Sequence, residues 1–106
     1  MRKISMKSYP VEIRDMEGKT KEIPYGTKES LVAILFNPAL RLTGLTLLKQ
    51  DELARKVADS GDELLLEEEE YQRIRTAIEA VEGLGRNDVE FVRRIMDASK
   101  VDVSVK

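Results

Sequence analysis

Between Leu64 and Met96 apolar residues recur at helical spacing twice, on either side of Gly83-Leu84-Gly85-Arg86. Tyr71, Ile74, Ile78 and Val81 fall at steps of three, four and three, one stripe of an amphipathic helix predicted over 67–82. Val89, Val92 and Met96, widened by Phe91 and Ile95, predict a second helix. Two helices with one apolar stripe each must pack against something, and the rest of the chain has to supply that layer. Burying the four stripe residues of the first helix contributes at most about 6–12 kcal/mol before entropy is counted.

The ends of these helices are also written in the sequence. Glu67, Glu68, Glu69 and Glu70 occupy the first turn, where the helix dipole favours negative charge. Glu69 and Arg73 have the four-residue spacing of a helical ion pair. Asn87 with Glu90 three residues later has the capping-box pattern. Leu64-Leu65-Leu66 just upstream reads as a short strand.

Upstream, Tyr9, Val11 and Ile13 alternate with Pro10, Glu12 and Arg14, the period of a half-buried strand. Asp15-Met16-Glu17-Gly18 is a turn, and Lys19 to Ile23 returns as the second strand of a hairpin. Its two lysines suit an edge. Ile4 and Met6 add a further short strand. Thr27 is the expected N-cap of a helix over Lys28–Phe36, apolar all round and placed at the centre of the core. Pro38 ends it, and Leu40, Leu42 and Leu45 line an irregular connection. A further helix runs from about Thr46 to Asp59, with Leu47, Ala54 and Ala58 on one stripe and Leu53 and Val57 beside it. The tail Val101-Asp102-Val103-Ser104-Val105 alternates strictly, as a closing strand would. The fold class is therefore α+β: a small antiparallel sheet, built from the N-terminal hairpin and short strands at 64–66 and 101–105, packed by about four short helices. With 106 residues it is one small domain, 1–106.

Composition narrows the chemistry. There is no cysteine and no histidine, which removes thiolate chemistry, disulfides, and the commonest general base and transition-metal ligand. The apolar run Leu31–Phe36 is too short to span a bilayer, and no signal-peptide-length run follows Met1-Arg2-Lys3, so a soluble, cytoplasmic protein is expected. The four consecutive glutamates point in different directions around a helix and cannot converge on one ion without partners. The glycines form no phosphate loop, since Gly83-Leu84-Gly85 follows a helix rather than a strand. No catalytic, metal-binding or cofactor-binding residue is assigned, and the chain is read as no enzyme.

Charge divides along the chain. Residues 62–82 carry eight acids and two bases, a net of −6, whereas residues 1–28 carry seven bases and four acids, a net of +3. The pair of helices over 67–98 outlines a helix-turn-helix, with Arg86, Arg93 and Arg94 positioned to meet phosphates. The acidic first helix would repel a nucleic-acid backbone, which makes DNA binding the secondary reading. The leading expectation is a non-enzymatic protein-interaction module with a protein partner or a second copy of itself. Its candidate face comprises the apolar connection Leu40, Leu42 and Leu45, the charged residues Glu68, Arg86, Arg93 and Arg94, and the alternating tail residues Val101, Val103 and Val105.

Tyr9-Pro10-Val11 through Asp15 and Gly18, Lys28-Glu29-Ser30-Leu31 through Phe36-Asn37-Pro38, and the acidic helix ending in Gly83-Leu84-Gly85-Arg86-Asn87-Asp88 together resemble a known group. In size, charge and order of elements the chain is similar to small accessory proteins encoded among the assembly genes of tailed bacteriophages and prophages. The resemblance implies a non-enzymatic assembly or host-interaction role and transfers no functional residue.

Overall fold

The computed structural model describes residues 1–100. In chain order the elements are β1 (Arg2–Ser5), β2 (Pro10–Arg14), β3 (Thr20–Pro24), α1 (Thr27–Leu35), α2 (Gly44–Asp59), β4 (Glu63–Leu66), α3 (Glu68–Ala80), α4 (Val89–Met96) and β5 (Ser99–Lys100). Short 3-10 turns fill Pro38–Leu40 and Arg86–Asp88. The class is α+β, as the sequence pattern predicts.

The strands make two antiparallel sheets. In the first, the order is β4-β1-β5, and Ile4 lies opposite Leu64 while Arg2 lies opposite Leu66. The two-residue period sends Ile4, Leu64 and Leu66 inward, all buried, and leaves Lys3 and Glu63 outside as a 3.0 Å ion pair. Four helices cover the inner face. Leu31 and Leu35 of α1, Leu53 and Val57 of α2, Tyr71, Ile74 and Ile78 of α3, and Phe91 and Ile95 of α4 close one core with those strand residues. The stripe of the first predicted helix is thus buried through Ile78, while Val81 caps the C-terminus and is half-buried.

The second sheet is the β2–β3 hairpin alone, with Val11 opposite Ile23 and Ile13 opposite Lys21. Its turn is held by Asp15, whose Oδ1 accepts from the Glu17 and Lys19 amides at 3.0 and 2.9 Å. Gly18 sits at φ +80°, a conformation glycine adopts without strain. Every residue from Glu12 to Glu22 is exposed, so the outer half of the hairpin projects from the body. The molecule measures 54 × 35 × 22 Å with a radius of gyration of 15.0 Å, against about 13 Å for a compact chain of this length.

Several local expectations are corrected by tertiary contacts. Thr27 does not cap α1; Gly26 does, and the buried Thr27 hydroxyl donates instead to the Met6 carbonyl at 2.5 Å. Helix α1 is not buried all round, since Ala33 faces solvent, as does Phe36 just past its end. Helix α2 begins two residues early because Thr43 caps it: the Thr43 amide donates to Thr46 Oγ1 at 2.7 Å. Its buried side is Gln50, Leu53, Ala54 and Val57, while Leu47 and Ala58 are exposed. Asn87 does not cap α4 either; it lies in the preceding turn and donates through Nδ2 to the Glu12 carbonyl at 3.0 Å. Phe91 and Ile95 form the buried centre of α4, and Val89, Val92 and Met96 form its flank. The expected strand over 101–105 lies outside the described residues; Ser99 and Lys100 just before it pair with Lys3 and Arg2.

Candidate protein-interaction site

The residues singled out in the sequence separate into a group spent on the fold and a group facing solvent. Glu68 belongs to the first. Arg2 Nε and Nη2 donate to its two carboxylate oxygens at 3.1 and 3.2 Å, tying α3 to β1. The hydrogen bond from Arg2, seconded by Gln72, holds the Glu68 carboxyl below the usual range. Glu69 is taken by Arg73 at 2.5 Å and Glu70 by Lys56 at 2.7 Å. Three neighbouring carboxylates thus go to cations on three different elements, which disperses the acidic run. Of the basic N-terminal segment, Arg2 and Lys3 pair with Glu68 and Glu63 of the acidic one.

Arg94 is also spent on the fold. Its guanidinium lies 4.9 Å from the Tyr9 ring centre, bonds Glu90 at 3.3 Å and donates to the Lys7 and Ser5 carbonyls at 2.6 and 3.3 Å. Arg86 and Arg93 differ: both are exposed, and neither makes an ion pair among the described residues. They flank a shallow groove of about 480 Å³ between β2 and α4, lined also by Val11, Glu12 and Val89. Val101, Val103 and Val105 lie outside the described residues.

The leucines of the 40–48 region face solvent most openly. Leu45 is 67% and Leu48 64% exposed, values that belong to charged residues rather than to leucine in a small domain. Both stand on the first turns of α2, away from its buried side. Beside them a groove of about 410 Å³ opens between α2 and α3, with Leu40 and Leu42 on one wall and Gln72, Arg73 and Thr76 on the other. Leu45 and Lys49 are four residues apart on one side of α2, and Lys49 lines the groove, so Leu45 stands at its margin, with Leu48 next to it on the outer side of the helix. The wall is set by the turn Pro38–Leu40, which the Asn37 side chain caps at the Ala39 amide, and by Arg41 in the left-handed region at φ 50°.

Gln50 lies at the groove and was not foreseen as a site residue. It is 4% exposed, and its Nε2 donates to the Leu35 carbonyl at 3.0 Å. Its Oε1 accepts from no donor among the described residues. A glutamine between Lys49 and Asp51 on a helix gives no sequence signal of burial, since its hydrogen bond is made to α1. Elsewhere, the N-terminus of α1 offers little to an anion, because the Glu29 carboxylate folds back to within 2.7 Å of where a Gly26 Cβ would stand.

The chain matches no protein-family model, and comparison with curated proteins and with solved structures gave no significant match. Among the described residues no helix is long and apolar enough to cross a membrane.

Proposed function

We propose that this chain is a non-enzymatic protein-interaction module that docks through the α2–α3 groove and the leucines at its margin. The observation that carries the reading is an apolar groove with the exposed Leu45 at its margin and the exposed Leu48 one helical step further out. Exposed leucines clustered at a concave apolar surface lose water when a partner covers them, which drives association. The groove walls carry few unpaired charges, since Arg73 is held by Glu69 and by the Lys49 carbonyl. Such a surface favours burial over ionic recognition. The resemblance to phage accessory proteins supports an assembly or host-interaction setting for the same surface.

Site-directed charge placement tests this reading. Leu45→Lys with Leu48→Lys should abolish association with the partner and leave the thermal midpoint unchanged. Retained association in the doubly charged variant would overturn the assignment. The DNA-binding reading keeps only Arg86 and Arg93 of its three arginines on the surface, because Arg94 is committed to Tyr9 and two backbone carbonyls.

A further inference from the structure

Resting on the proposed docking role, we infer that the α2–α3 groove selects a protein partner that inserts an aromatic side chain bearing a hydrogen-bond donor, a tryptophan or a tyrosine, aimed at Gln50 Oε1. The amide orientation of Gln50 is not arbitrary. Leu35 offers a carbonyl, which can only accept, so the amide nitrogen must face it and the oxygen must take the other branch. That oxygen is a buried acceptor with no donor among the described residues. A buried acceptor left unbonded is costly, so a group that supplies a donor gains more here than at an exposed site.

The surroundings define the rest of the ligand. Leu40 and Leu42 offer apolar wall, and Thr46, Gln72 and Thr76 offer a polar rim. A flat apolar body with one N–H or O–H at its edge matches both requirements, whereas an aliphatic side chain meets only the first. Solvent does not reach Oε1, so insertion involves a side-chain shift at the groove floor.

The occupant is a different protein rather than a second copy. The chain has no tryptophan. Its three tyrosine hydroxyls are all bonded internally: Tyr9 to the Asn87 carbonyl at 2.9 Å, Tyr25 to Asp88 at 2.5 Å and Tyr71 to the Ile95 carbonyl at 2.7 Å. No aromatic side chain among the described residues can therefore serve as the donor without unmaking the fold that presents the groove.

The test is a nitrogen-edited NMR titration of the intact chain with indole and, separately, with 1-methylindole, which has nearly the same shape but no N–H. Indole should shift the Gln50 side-chain amide resonances together with the backbone amides of Leu42, Thr46 and Thr76, and bind about tenfold more tightly than 1-methylindole, the factor that one hydrogen bond of ordinary strength supplies. In Gln50→Met the two probes should bind alike. Equal affinities for the wild-type chain, or shifts confined to other surfaces, would overturn the inference. Should that happen while Leu45→Lys with Leu48→Lys still abolishes partner binding, donor selection fails and the docking role stands.

Discussion

The Tyr25 hydroxyl donates to Asp88 Oδ1 at 2.5 Å and joins the projecting hairpin to the turn that starts α4. The Tyr25 ring also stacks on Tyr9 at 4.8 Å and leans on Phe91 at 5.6 Å. A two-stranded ribbon is barely stable alone in water, so this contact, together with the Asn87 hydrogen bond to the Glu12 carbonyl, fixes the arm to the body. Tyr25→Phe should keep the stack, lose the hydrogen bond and cost about 1–2 kcal/mol in denaturant unfolding. No loss of stability would show that the stack alone anchors the arm.

The same contact gives Tyr25 a distinct titration. Burial, and then the bond to Asp88, push its pKa up from 10.0 to about 12. The folded protein therefore holds this proton more tightly than the unfolded chain, and stability should fall as pH rises from about 10 to 12. Burial raises the Tyr9 hydroxyl as well, so ultraviolet titration of tyrosinate should show a latest component near pH 12 that Tyr25→Phe removes. A component near pH 12 that persists in Tyr25→Phe would place the perturbed group elsewhere.

At the acid end the sign reverses. Glu68 is held below 4.5 by its bond from Arg2. Burial raises Glu70, but bonds from Lys56 and the Glu67 amide outweigh it, and the net shift is downward. Carboxyls with lowered folded pKa values stabilise the protein above the unfolded value and lose that stabilisation as pH falls through their own. Thermal midpoints should drop below about pH 4.5, and Glu70→Gln should make the drop shallower. An unchanged acid profile in Glu70→Gln would contradict the assignment.

Thr27 is 3% exposed and gives its hydroxyl to Met6, not to a helix end. Thr27→Ser should be nearly neutral, whereas Thr27→Val leaves the Met6 carbonyl without that donor and should cost about 1–3 kcal/mol. Equal effects of the two substitutions on the thermal midpoint would mean that packing, and not the hydrogen bond, is what matters at this position.

That residue also shows where sequence reading stops. The period of Tyr71, Ile74 and Ile78 and the alternation of Tyr9 and Val11 report each element's own buried side, and both were legible. Thr27, Asn87 and Glu68 carry standard helix-start chemistry, yet Thr27 and Asn87 are claimed by Met6 and by Glu12, 75 residues away, and Glu68 by Arg2, 66 residues away. Local rules cannot see a partner that far along the chain. On α4, two apolar sides compete, and the core formed by distant elements takes Phe91 and Ile95 rather than Val89. At the candidate site Leu40 and Leu42 were legible as apolar residues of the connection, whereas Leu45, expected there too, stands in α2 because Thr43 starts that helix early, and Gln50 became visible only once its contact with α1 was formed.

Exposure separates the leucines of α2 by role. Leu45→Ser and Leu48→Ser should each change stability by no more than about 0.5 kcal/mol, because little surface is buried there. Leu53→Ala, in the core, should cost about 2–5 kcal/mol. Comparable losses at all three positions in urea unfolding would mean that the surface leucines support the fold and are not reserved for a partner.

Photo-crosslinking in the cells that encode the chain tests the docking surface most directly. A benzophenone amino acid placed at Leu48 should give one discrete protein adduct, absent when Leu45→Lys is added and absent when the probe stands at Arg75. Adducts of the same pattern from Leu48 and Arg75, or none from Leu48, would contradict the assignment of the α2–α3 surface as the interaction site.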